Sequence, residues 1–276
     1  MAAMADDTLA TLNWLIEAGA DEAIADEPVN RLVAKAQATP MPAAAPRPAA
    51  PARTPAAARA PVPALLQDDA IGSAMAAAAS ATSLAELQAA LEAFDGCGLK
   101  RTATNTVFAD GVAQAPVLLI GEAPGRDEDR IGKPFVGRAG QLLDKMLASI
   151  GLDRKTNAYI TNVINWRPPD NRDPSPEEAA ACLPFLRRHI ELANPQVIIL
   201  LGAVAARHVV GVSDGIMKLR GRWMDYRVGD RMVPLMPTLH PAYLLRQPAH
   251  KKLAWRDLQA VAQKIEQLPE LGVRGN

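Results

Sequence analysis

Short apolar runs alternate with stretches of helical period along the second two thirds of the chain. Residues 116–120, 158–160, 197–201 and 232–239 are nearly continuous in apolar side chains and read as buried strands. Residues 139–150, 176–192, 203–209 and 251–267 carry apolar positions three and four apart and read as helices. Ser83 and Glu86 have the spacing of a capping box for a further helix bearing Leu84, Leu87 and Leu91 and stopping near Gly96. Gly229-Asp230 reads as the turn of a hairpin leading into the last strand. The order of elements predicts an α/β fold: three layers, α/β/α, around a central, mainly parallel four-stranded sheet. In such a sheet the carboxyl ends of the strands share one edge. Gly121-Glu122-Ala123-Pro124-Gly125, Thr161-Asn162 and His240-Pro241 each follow a strand, so a Glu, an Asn and a His distant in sequence are expected to meet at one crevice.

Upstream the pattern changes. Residues 40–63 hold eight Pro and ten Ala, with Arg47, Arg53 and Arg59 as the only charges, a composition that cannot bury enough apolar surface to offset the entropy of ordering it. Residues 36–82 are therefore expected to be a disordered linker. Before it, residues 1–35 form an acidic amphipathic segment, with Asp7 able to cap a short helix carrying Leu9, Leu12, Leu15 and Ile16. That segment is a candidate for docking a protein partner, and residues 83–276 are expected to form the folded domain.

Charge sharpens the division. The 276 residues have a formal net charge of zero, but residues 1–95 hold 12 acidic and 5 basic groups, which leaves 18 acidic and 25 basic in the remainder. A basic folded part suits a polyanionic partner. Two cysteines, Cys97 and Cys182, cannot make a disulfide framework, no apolar stretch is long enough to span a membrane, and the first residues lack a secretory signal. A cytoplasmic monomer is the expectation.

The turn at residues 121–125 has neither GxGxxG spacing nor the GK[ST] of a phosphate loop, which argues against a nucleotide cofactor or NTPase chemistry. Its glycines and Pro124 suit a tight turn that brings main chain close to a ligand. The run Arg126 to Arg130 reads as a solvated charge cluster. Phe135 follows on a loop, in a chain with four Phe.

The first block, Gly121 to Asp129 followed by Gly132-Lys133-Pro134-Phe135-Val136-Gly137-Arg138-Ala139-Gly140-Gln141-Leu142-Leu143, resembles the first motif region of family 4 uracil-DNA glycosylases. The likeness continues through Thr161-Asn162-Val163, Arg167-Pro168-Pro169, Asn171-Arg172 and Thr238-Leu239-His240-Pro241-Ala242, over about residues 97–262. It implies a uracil-DNA glycosylase-like fold, an enzyme of base-excision repair that hydrolyses the uracil to deoxyribose bond, and uracil-containing DNA, single- or double-stranded, as partner. It further implies Glu122, Asn162 and His240 as catalytic residues, with Gly121, Ala123, Phe135, Asn162 and His240 around the base. Phe135 is expected to stack on uracil, Asn162 to read its O4 and N3 edge, and His240 to donate to O2 as charge develops. The Glu122 carboxylate is expected to orient water or stabilise the sugar cation. Ala123 stands where a related glycosylase family carries a catalytic Asp, which makes Asp129 a second candidate. Arg138, Arg167, Arg172, Arg246 and Lys251 are expected on DNA phosphates, and Leu244 in the gap left by the flipped nucleotide.

Members of the family usually hold a [4Fe-4S] cluster on four cysteines. Only Cys97 and Cys182 match; Phe94 and Trp166 stand at the other two positions. A domain without a cluster is the expectation, and no other cofactor is implied. The alternative reading is a protein that binds uracil or single-stranded DNA without turnover.

Overall fold

A computed structural model describes residues 64–267, with side chains from residue 69 onward. The acidic segment 1–35 and the start of the expected linker lie outside the described residues.

Four five- to eight-residue apolar strands form the centre of the sheet: β2 (Val117–Gly121), β3 (Ala158–Asn162), β4 (Val197–Leu201) and β6 (Arg231–Thr238). They are mutually parallel in the order β3-β2-β4-β6. The sheet has six strands in place of the four expected, because an antiparallel strand closes each edge: β1 (Ala109–Gly111) beside β3, and β5 (Met224–Val228) beside β6. β1 is three residues long, too short to show a period, and β5 is the first arm of the Gly229-Asp230 hairpin. Antiparallel edges suit strands with one face in water, and Asp225 and Arg227 of β5 are exposed accordingly.

Side chains alternate between two apolar layers. Leu118, Ile120, Ile198, Leu200 and Leu235 face one layer; Val117, Leu119, Ile160, Ile199 and Met236 face the other. The first layer is covered by α2 (Leu84–Ala93) and α5 (Pro176–Ala193), the second by α4 (Arg138–Ala148) and α9 (Lys251–Glu266). The Ser83 cap forms as expected, its hydroxyl accepting from the Glu86 amide at 3.2 Å. Shorter helices are α3 (Arg126–Ile131), α6 (Ala203–Val210), α7 (Ile216–Leu219) and α8 (Pro241–Arg246). No helix among the described residues is long and apolar enough to cross a membrane.

Two further expectations are corrected. Residues 64–80, assigned to the linker, form helix α1 (Ala64–Ser80), which packs against α5 through Ala74 and Ala78. Alanines supply this contact, so no leucine stripe announces it, and the small side chains allow close approach of the two helices. Arg188 of α5 fastens its end, donating to the Ala81 carbonyl at 3.0 and 2.9 Å. The charge run 126–130 is helix α3, and its Asp129 is buried, accepting from the Thr104 and Asn105 amides at 2.8 and 3.1 Å.

His189 of α5 lies in the core, stacked on Phe108 with ring centroids 4.3 Å apart and 3.0 Å from the Tyr159 hydroxyl. Burial pushes its imidazole down to about 3. The unfolded chain binds a proton near pH 6.5 that the native state refuses, so this residue lowers stability as pH falls from about 6.5 toward 3 and has no effect above that window. The expected slope is up to about 1.4 kcal/mol per pH unit. Denaturant titrations at pH 7.5 and 4.5 are expected to show a smaller acid loss in His189→Gln than in wild type; equal losses would exclude His189 as a source.

Candidate active site

Gly121 closes β2 directly beside Asn162, the last residue of β3, in parallel register. A side chain there has no room: a Cβ on Gly121 would lie 2.6 Å from the Phe135 ring and would overlap the Asn162 carboxamide oxygen. The bare Cα thus lets an amide and an aromatic ring share one small space. Asn162 is 2% exposed, and among the described residues its Oδ1 has no hydrogen-bond partner. A buried acceptor without a donor is costly, and a ligand N–H at that point removes the cost.

Phe135 is held in a conformation its type rarely adopts, at φ 53°. Three contacts impose it. Arg154 donates to the Phe135 carbonyl at 3.0 Å and the Pro134 carbonyl at 3.2 Å, while bridging to Asp110 at 3.1 Å. The Glu128 carboxylate accepts from the Val136 and Gly137 amides, both at 3.0 Å. Gly140 packs against the Phe135 backbone so closely that a Cβ there would stand 2.9 Å from the Phe135 Cα and overlap its carbonyl. Arg154, Asp110 and Glu128 were not among the expected site residues; Arg154 and Glu128 act on the main chain of this loop and Asp110 on the Arg154 guanidinium, and no local pattern marks them.

His240 ends the third side of the crevice. It caps α8, and its Nδ1 accepts from the Ala242 amide at 3.1 Å, which leaves the ring proton on Nε2. The ring lies 5.5 Å from the Phe135 ring, centroid to centroid, tilted by 34°. Burial, and then the Arg246 charge, push the imidazole down to about 4, so at neutral pH it is an uncharged donor. Gly202, at φ 96°, gives the ring clearance: a Cβ on it would come within 3.1 Å of the His240 Cβ. The sheet edge therefore brings Gly121, Asn162 and His240 together, as expected for strand-end residues, and the loop before Arg138 adds the Phe135 ring between them.

The remaining candidates divide. Glu122 is part-buried at the turn, with its carboxyl raised by burial and by Asp173, against the opposing charge of Arg207. Ala123 packs its methyl against the first apolar layer. Asp129, the alternative acid, is spent on the 104–105 loop. Arg138 and Arg167 line one pocket of about 340 Å³ with Arg126, and the Arg167 Nε donates to Asn171 at 2.8 Å. Arg172 instead makes a bidentate pair with Glu178 at 2.6 and 2.8 Å. Arg246 and Lys251 are exposed on the α8 to α9 segment. Leu244 is corrected: it is 1% exposed, packed on Met146, Leu239, Ala254 and Leu258, and cannot enter a DNA gap from there. Its neighbour Leu245, 36% exposed, points outward in its place. Adjacent leucines on a six-residue helix give no phase by which to separate them.

The positions where the resemblance places cluster ligands do not fit a four-thiolate cluster. Phe94 packs on Phe185 with ring centroids 5.1 Å apart, and the buried Trp166 donates its Nε1–H to the Thr106 hydroxyl at 3.0 Å. Cys97 and Cys182 lie in the same core, both as free thiols. The hydrogen bond with Cys97, and burial, hold the Cys182 thiol well above its ordinary range. An inert thiol in an apolar wall follows.

The model of the uracil DNA glycosylase superfamily matches residues 108–259. The type-4 uracil-DNA glycosylase of Thermotoga maritima is 44% identical over 156 residues, 56% of this chain and 79% of that protein. That of Archaeoglobus fulgidus is 44% identical over 156 residues, 55% and 78% of the two chains. The type-4 enzyme of Pyrobaculum aerophilum is 37% identical over 179 residues, covering 63% of this chain and 91% of that one.

Gly140→Ala is expected to displace the Phe135 backbone and to destabilise the domain by about 1–3 kcal/mol in denaturant titration; an unchanged midpoint would show that the loop yields freely. Protein purified anaerobically from iron-supplemented cells is expected to carry far less than four iron atoms per chain and no iron–sulfur absorbance, with Cys97→Ser as well folded as wild type. Stoichiometric iron would overturn the reading of Phe94 and Trp166 as core.

Proposed function

Because the chain belongs to the uracil-DNA glycosylase superfamily, we infer that this crevice hydrolyses the N-glycosidic bond of deoxyuridine in DNA, releasing uracil and leaving an abasic site for base-excision repair. The observation that carries the reading is the Asn162 oxygen, buried without a partner beside the Phe135 ring. Uracil presents an N3–H to such an acceptor. Cytosine presents a lone pair there, so the same site rejects it.

A base inside the helix is out of reach of this crevice, so the nucleotide leaves the stack and enters against Phe135. The bond from C1′ to N1 breaks with its electron pair going to uracil, and the negative charge spreads onto O2. The neutral His240 donates its Nε2–H to that oxygen, a bond worth more in the transition state than before it. The sugar carries the matching positive charge until water adds to C1′. We assign the Glu122 carboxylate to that water, orienting it and taking its proton; burial and Asp173 raise its basicity for the task. Arg138 and Arg167, with Arg246 and Lys251, are assigned to phosphates, and Leu245 replaces Leu244 as the side chain for the vacated gap. No step needs an iron–sulfur cluster.

Uracil excision from a labelled single-stranded oligonucleotide, scored by alkaline strand breakage, is expected for wild type and to fall about 10²–10³-fold in Asn162→Ala and in His240→Ala. Retention of full rate by both variants would remove the crevice from the chemistry. The acid limb of the rate is expected above the ordinary carboxylate range, since ionised Glu122 is the active form and its carboxyl is raised, and Glu122→Gln is expected to abolish that limb.

A further inference from the structure

Helix α9 turns Ala254, Asp257, Leu258 and Val261 inward and leaves Lys251, Lys252, Trp255 and Arg256 exposed along its first two turns. Trp255 is 43% exposed, an unusual place for the largest aromatic side chain. Beside its ring a groove of about 220 Å³ opens between α4, α8 and α9, walled by Leu142, Met146 and Leu244 and edged by Lys145 and Lys251. Among the described residues, none of Lys145, Lys251, Lys252 and Arg256 takes part in an ion pair. An apolar slot with an exposed ring and unpaired cations on its rim is the composition of a surface that stacks flat rings while following a chain of phosphates. A purely apolar occupant would leave those cations without a counterpart.

The groove and the crevice share one short helix. The groove's wall residue Leu244 stands one helical turn beyond His240 on α8, a rise of about 5.4 Å. We propose that the groove holds an unpaired base of the same strand as the flipped nucleotide, stacked on Trp255 with Lys251, Lys252 and Arg256 on the flanking phosphates. A base paired within a duplex cannot offer its face to Trp255. The groove therefore makes uracil in single-stranded DNA the favoured substrate, a statement that rests on the glycosylase reading for the excised base alone.

The test uses the full chain with uracil-free oligothymidylate, followed by tryptophan emission, and with uracil in single-stranded and fully paired oligonucleotides. Oligothymidylate is expected to quench wild type, and most of that quenching is expected to vanish in Trp255→Ala. The same variant is expected to raise KM for the single strand about tenfold while kcat and the duplex KM stay within about twofold, with Trp255→Phe restoring most of the loss. A thermal midpoint equal to wild type checks that only the surface has changed. Equal KM values for the two substrates in wild type, or a single-strand KM unmoved by Trp255→Ala, would overturn the groove and leave the excision chemistry standing. Trp255-dependent oligothymidylate binding by a wild type that excises nothing would uphold the groove and overturn the glycosylase reading.

Discussion

The crevice depends on an absence of matter at one atom. With hydrogen in place of a side chain at Gly121, the end of β2 admits the Phe135 ring on one side and the Asn162 carboxamide on the other. Parallel pairing of Gly121 with Asn162 fixes the amide, and the supports of the 134–137 loop press the ring into the same volume. Any Cβ at Gly121 would force one of these groups out, and recognition of a planar, hydrogen-bonding ligand would go with it. Phe135 is held in its unfavourable backbone region by Arg154, Glu128 and the close contact of Gly140, so strain at the site is sustained by bonds outside it.

Much of this was legible before any coordinates. Parallel strands buried on both faces write themselves as unbroken apolar runs, and the edge rule then carries Gly121, Asn162 and His240 to one place. What stayed hidden has physical reasons. Helix α1 binds through alanines, whose contribution lies in letting backbones approach, and it sits next to a proline-rich stretch of similar composition. Asp129 lies within a run of charges and looks solvated, yet its carboxylate satisfies two amides of a distant loop. Leu244 and Leu245 differ only in helical phase, and Pro241 opens a helix too short to establish one.

The surroundings of Phe94 and Trp166 are held by packing. Phe94, Trp166 and Phe185 gather in the apolar layer that also contains both cysteines, and the indole N–H finds a hydroxyl. Dispersion and burial there hold the 94–97 segment in one layer with the 163–167 loop. That layer lies on the face of the sheet opposite Phe135, which belongs to the second layer, and meets the crevice through Ala123.

The bond from the Ala242 amide to the His240 Nδ1 does more than end a helix. It ties the position of a proton, on Nε2 and not on Nδ1, to the first turn of a helix only six residues long. Short helices fray readily, and each opening of that turn frees the imidazole to exchange tautomers. Readiness of the donor is thereby a conformational population, visible as the exchange protection of one backbone amide, and the rest of the fold is felt at the reacting base through how long that turn stays closed.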